Sequence, residues 1–238
     1  MAQKILHKAN TRNIADHGWL KSFQTFSFGM NYDPDRVQFG ALRVLNDDIV
    51  DGGMGFGEHP HDNMEIISIS LEGSLQHEDS MKNVAIIEPG EIQVMSAGTG
   101  IYHKEFNKNP DQPVKFLQIW LFPNQRNVSP RYQQKRYDTL LKPNEFTQIL
   151  SPEKDLNSVW IYQDAWFHIG RFEAGVKLRH PLKNKENGIY VFVIKGSLKI
   201  NGQELEERDG YGLWETESIE VETSAASEIL LMEVPMNY

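Results

Sequence analysis

The chain contains no cysteine. That one absence excludes disulfide scaffolds, zinc ribbons, iron–sulfur clusters and thiol nucleophiles, and it fits a reducing compartment. Net positive charge is lacking as well. The 24 basic side chains are outnumbered by 33 acidic ones, a formal charge of −9, a balance that supplies no net positive field and disfavours wrapping a phosphate backbone, while leaving a local basic patch open. Long apolar runs are missing. The densest, Phe116 to Phe122, is far shorter than the roughly 20 residues that cross a bilayer. The stretch from Met1 to Gly18 has no apolar segment of the kind a secretory signal needs. These absences predict a soluble, cytoplasmic chain with no direct nucleic-acid partner and no membrane partner.

Helical periodicity is weak throughout, and short apolar runs with period-two alternation take its place. Strands are predicted at Ser22 to Phe28, Glu65 to Leu71, Asn83 to Ile87, Glu91 to Met95, Lys115 to Leu121, Ala165 to Phe172, Gly188 to Ile194, Ser218 to Val221 and Glu228 to Val234. Gly or Pro punctuates the joins, as at Glu72-Gly73, Pro89-Gly90 and Lys195-Gly196. The proline-bearing stretch 126–157 reads as a connection with one short helix near Tyr132 to Leu141. It divides an N-terminal domain, 1–125, from a C-terminal one, 158–238. An internal repeat supports the division: Ile69 to Leu75 resembles Phe192 to Leu198, and Phe116 to Pro123 answers Glu228 to Pro235. With 238 residues, 39% of them hydrophobic, two similar β-domains can each bury a core without covalent staples.

Chemistry concentrates in the first half. Four of the eight histidines lie between His59 and His103. In His59-Pro60-His61 the two imidazoles share parity, so an extended strand aims both at one point. Pro60 between them suits a strand edge. Glu65 has the same parity. A second cluster, Gly98 to Glu105, follows a glycine turn and places His103 and Glu105 on one face of a second strand. Three imidazoles and one carboxylate suit a borderline divalent metal such as Fe, Mn, Co, Ni or Zn. Parity alone leaves open which of Glu65 and Glu105 is a ligand and which orients an imidazole from behind. His77 reads as solvated or as a residue supporting the ligands. His7, His17 and His168 read as structural or exposed. The glycine-rich Gly53 to Gly57 leads into His-x-His rather than a helix, which argues against a dinucleotide loop.

Gly53-x5-His59-x-His61-x3-Glu65 with a downstream Gly100-x-x-His103 resembles the paired motifs of the cupin superfamily. More narrowly, the chain is similar to the pirin family of bicupins. The stretches that carry this are Phe23 to Phe28, Val44-Leu45-Asn46-Asp47-Asp48, Gly55 to His61, His77-Glu78-Asp79-Ser80 and Gln93 to Glu105. The resemblance implies an all-β bicupin, two similar jelly-roll barrels packed together. It implies a metal on His59, His61, His103 and Glu105, with Glu65 and His77 in supporting positions. The implied ion is Fe(II), with Ni, Mn, Co, Cu and Zn as alternatives. The spacing from Glu65 to Gly73 is one residue longer than the general cupin pattern. In the second half, positions equivalent to the ligands fall near His180 to Asn184 and near Thr223 and Ala225, so a metal-free domain is implied there.

The resemblance implies an oxidoreductase, a dioxygenase of the quercetin 2,3-dioxygenase type acting on a flavonol and dioxygen, with Glu105 as the catalytic base. The alternative it implies is an iron-binding, redox-sensitive regulatory protein that works through a protein partner.

Overall fold

The computed structural model describes residues 2–237. Strands account for the regular structure. Helix is confined, among the described residues, to three single 3-10 turns at Ala9–Thr11, Pro34–Arg36 and Asp138–Leu140. Among the described residues, no helix is long and apolar enough to cross a membrane. Each half of the chain pairs a seven-stranded sheet with a four-stranded one, and all pairings are antiparallel except the parallel edge pair Phe146–Ser151 with Val159–Trp160. In the N-terminal half the larger sheet centres on Glu65–Glu72, Val114–Leu121 and Leu42–Val50, and the smaller runs Gly55–His61, Ile101–Asn107, Leu75–Asp79, Val84–Ile87. The C-terminal half repeats the plan, with Asn187–Lys195, Ser227–Pro235 and Trp166–Phe172 at the centre of its larger sheet and Lys177–Pro181 on the edge of its smaller one.

Alternation along the central strands explains how the barrels meet. On Val114–Leu121, the side chains of Leu117, Ile119 and Leu121 join a core shared with Phe167, Ile169, Leu230, Met232 and Val234 of the other half. The two large sheets therefore pack face to face through their outward apolar rows, as aligned sheets do. The intervening residues Gln118 and Trp120 face the interior of the N-terminal barrel, where a cavity opens. The C-terminal barrel has instead filled its interior with Ile189, Val191, Val193, Leu213, Ile229 and Leu231. One barrel is hollow and one is plugged.

The segment expected to be a connection with a short helix is built into both sheets. Arg131–Arg136 pairs with Glu91–Ser96 at the edge of the first sheet, and Phe146–Ser151 pairs with Trp166–Phe172 in the second. Its prolines fall outside these strands, so no ladder donor is lost. Gln3–His7 crosses the other way and pairs with Gly210–Trp214 of the C-terminal sheet. The repeat holds at its turns, where Gly73 and Gly196 both adopt positive φ, 75° and 86°, a conformation glycine enters without strain. Its last pair is out of register by one residue: the outward row Leu117, Ile119, Leu121 corresponds to Leu230, Met232, Val234.

Candidate metal centre

Two neighbouring strands of the smaller sheet carry the site. His103 lies directly opposite His59, and Ile101 opposite His61. Beyond that point the register shifts: His103 to Glu105 is matched by His59 back to Phe56. This bulge beside Gly57 re-aims the chain, a device common next to functional sites. Gly55–His61 is the edge strand, so Pro60 costs no central hydrogen bond.

The geometry gathers three imidazoles. Ring centres lie 4.9 Å apart for His59 and His61, 4.4 Å for His59 and His103, and 4.9 Å for His61 and His103. Their ligand atoms lie within 4.8 Å of one another. Nδ1 of His59 sits 2.8 Å from the Gly57 carbonyl, which can only accept, so Nδ1 carries the proton and Nε2 the lone pair. Nε2 of His61 and Nε2 of His103 are buried with no hydrogen-bond partner. Orphaned buried nitrogens are costly, and a cation between them would satisfy both. Burial, together with the His59 ring, holds His61 down to about 4, and burial with its three histidine neighbours takes His103 lower still. Neutral imidazoles are the form a metal requires.

Glu105, two residues beyond His103 on the same strand, closes on His103 and His77, again within 4.8 Å. Its carboxylate accepts from Ser68 Oγ at 3.1 Å and Gln118 Nε2 at 2.7 Å. Burial nevertheless pushes its carboxyl up to about 7. His77 is fully buried, with its ring 5.3 Å from that of His103 and 4.8 Å from that of Tyr132. It is packed against those two rings and is not solvated.

Glu65 stands elsewhere. Shared parity with His59 and His61 has no force here, because residues 62–64 break the strand and Glu65 begins a different sheet. Its side chain points through that sheet toward the second barrel, accepting from Ser96 Oγ at 2.8 Å and the Tyr162 amide at 3.4 Å. These hydrogen bonds tie Glu65 to the contact between the barrels, apart from the cluster of His59, His61 and His103. His7 is likewise buried there, 2.8 Å from Tyr190 Oη. His168 is not isolated; it faces His180 inside the plugged barrel at 4.8 Å between rings.

The histidines and Glu105 line a cavity of about 790 Å³, within the range of small-molecule sites. Trp19, Phe28, Phe56 and Trp120 supply aromatic wall, and Met30 and Ile14 lie on it with large exposed surfaces. Asp48 lines the same cavity and is hydrogen-bonded to Ser22. In the sequence, the signal for Asp48 is its alternation with Asn46 along the buried strand Leu42–Val50.

Comparison with known proteins agrees with this architecture in both halves. A family profile described as Pirin matches residues 7–121, and one described as the quercetinase C-terminal cupin domain matches 148–234. Quercetin 2,3-dioxygenase of Escherichia coli (strain K12) is 39% identical over 230 residues, covering 97% of this chain and 98% of that one. The chain belongs to the pirin family. Among solved structures, the bacterial pirin YhhW from Escherichia coli in complex with nickel(II) superposes with a TM-score of 0.92 at 38% identity, covering 98% of this chain and 99% of that one. A quercetin 2,3-dioxygenase from Acinetobacter baumannii, 17% identical with a TM-score of 0.80 over 99% of this chain and 87% of that one, shares the fold. The resemblance drawn from the motifs and the all-β bicupin it implies are both shown for this pirin.

Proposed function

We propose that this pirin is a metal-dependent dioxygenase of the quercetin 2,3-dioxygenase type, opening the heterocyclic ring of a flavonol with release of carbon monoxide. The observation that carries the reading is that unpartnered imidazole nitrogens and a buried carboxyl line one aromatic-walled cavity. His59, His61 and His103, with Glu105, would hold one divalent ion, Fe(II) in our reading. The relative crystallised with nickel(II) supports a divalent ion of this class. Such an ion supplies Lewis-acid polarisation of a hydroxyl oxygen bound to it.

The chain's own residues do the rest. Glu105, buried beside the imidazoles in the wall of the cavity, would take the flavonol hydroxyl proton as general base. Ser68 and Gln118 hold that carboxylate in place through both oxygens. Trp19 and Phe56, packed edge to face at 5.5 Å, offer with Trp120 the flat apolar surface that orients a planar substrate and excludes water.

The test is carbon monoxide release from quercetin by protein loaded anaerobically with iron, after oxygen is admitted, with His61→Ala alongside. The expected result is one carbon monoxide per flavonol consumed by the wild type and none from the variant. Absence of carbon monoxide from wild type that retains its iron would overturn the dioxygenase reading in favour of the regulatory one.

A further inference from the structure

Behind His103 runs a buried chain of three side chains. Asp79 Oδ2 lies 3.3 Å from His77 Nε2, and His77 Nδ1 lies 3.5 Å from His103 Nδ1. The side chains of Asp79 and His77 are both fully buried. The Asp79 carboxylate is fixed by Asn83 Nδ2 at 2.7 Å and by the amides of Met81 at 2.9 Å and Asn83 at 3.0 Å. His77 is held from behind by the Tyr132 ring.

Each link allows one proton position. A carboxylate only accepts, so His77 Nε2 must carry the hydrogen. His77 Nδ1 is then a lone pair, and the facing Nδ1 of His103 must be the donor. That leaves Nε2 of His103 as a lone pair, on the side where it is buried, unpartnered and beside His59 and His61. The opposite assignment would set the lone pair of His77 Nε2 against the Asp79 carboxylate and bury a His103 N–H without an acceptor, both unfavourable in a low-dielectric interior.

We propose that Asp79, acting through His77, is the positioning residue that fixes His103 in the tautomer able to bind a metal. The inference rests on the metal-centre reading above and extends it across the sheet: the competence of a ligand on Ile101–Asn107 is dictated from the far end of Leu75–Asp79. Sequence spacing hides this, because the two rings are 26 positions apart and meet only through strand pairing, with Glu105 opposite His77 and His103 opposite Asp79.

Long-range proton–nitrogen NMR of metal-free, 15N-histidine-labelled protein reads the tautomers directly, and competition with a chromophoric chelator reads Ni(II) affinity. The wild type is expected to show His103 protonated on Nδ1 and His77 on Nε2. His77→Phe keeps the packing on Tyr132 but removes the acceptor, so His103 should shift toward Nε2–H and Ni(II) affinity fall about 10- to 100-fold. His77→Gln, whose carbonyl can accept, should keep the tautomer and stay within about threefold of wild type. His103 protonated on Nε2 in the wild type, or unchanged affinity in His77→Phe, would overturn the proposal. So would a second Ni(II) equivalent bound on His77, since the Nδ1 pair cannot hold a proton and an ion together. Neither measurement uses flavonol or oxygen, so failure of carbon monoxide release leaves this result standing. Failure of the wild type to bind Ni(II) would sink the metal reading while the spectra still decide the tautomer.

Discussion

Asp47 and Asp48 are adjacent in sequence and serve opposite faces of one sheet. Asp47 Oδ2 lies 3.2 Å from Arg12 Nη1 and 3.6 Å from Arg208 Nε, on the side where the barrels meet. Asp48 lines the cavity with Ser22. Removing them should therefore have unlike consequences. Asp47→Ala leaves two largely buried guanidinium groups without their shared carboxylate and should cost about 3–5 kcal/mol in a denaturant titration. Asp48→Asn should act through pH. Burial, opposed by the Ser22 hydroxyl, raises the Asp48 carboxyl to about 7, so the folded protein keeps a proton that the unfolded chain releases near 4. Stability then falls as pH rises between these values, by about 1.4 kcal/mol per pH unit at most. Metal-free Asp48→Asn should match wild type at pH 4 and exceed it at pH 8; parallel profiles would refute this.

Glu65→Gln separates the barrel contact from the metal centre. Because Glu65 accepts from Ser96 and Tyr162 and not from any ligand, metal content and affinity should stay within about twofold of wild type, in contrast to the 10- to 100-fold loss usual for groups that orient ligands. Metal analysis after dialysis checks this, and a metal-free variant would restore Glu65 to the site.

The glycines of the first motif are not equivalent. A Cβ on Gly55 would stand 2.3 Å from the Glu105 carbonyl oxygen and 2.4 Å from Phe106 Cα, whereas one on Gly57 would meet nothing within 4 Å. Gly55→Ala must push the edge strand off its partner, at roughly 1–3 kcal/mol, and should weaken metal binding. Gly57→Ala should do neither. Thermal melts with and without Ni(II) compare the pair, and equal behaviour would contradict the close approach.

Acid should loosen the plugged barrel. Burial holds His168 down to about 3 and His180 to about 4, so below pH 6.5 the unfolded chain takes up protons that the folded one refuses, and stability declines toward pH 3. His168→Phe removes one of these groups from an apolar interior. It should melt higher than wild type at pH 4.5 relative to their difference at pH 8. An unchanged difference would assign the acid sensitivity to other groups.

Much of this was legible in the sequence because it is written locally. Alternation placed most central strands within a residue or two, and His-x-His on a proline-bearing edge announced the two imidazoles that do converge. What failed was inference across a break. Parity carried Glu65 into the site because nothing in residues 62–64 signals that one sheet ends and another begins. The strand Arg131–Arg136 was hidden by its composition: a charged edge strand shows no apolar alternation, only a partner in Glu91–Ser96. The role of His77 was undecidable for the same reason, since cross-strand pairing sets its neighbours.

The exchange of edge strands also governs how the molecule can be made. Gln3–His7 is made long before its partner, Gly210–Trp214. That strand must wait for Gly210–Trp214, and contacts so distant in sequence delay closure of a fold. The hollow barrel can pair most of its strands during synthesis, because Arg131–Arg136 arrives soon after it. The plugged barrel completes only once Gly210–Trp214 has been made, so a nascent chain halted before residue 210 still holds Gln3–His7 unpaired.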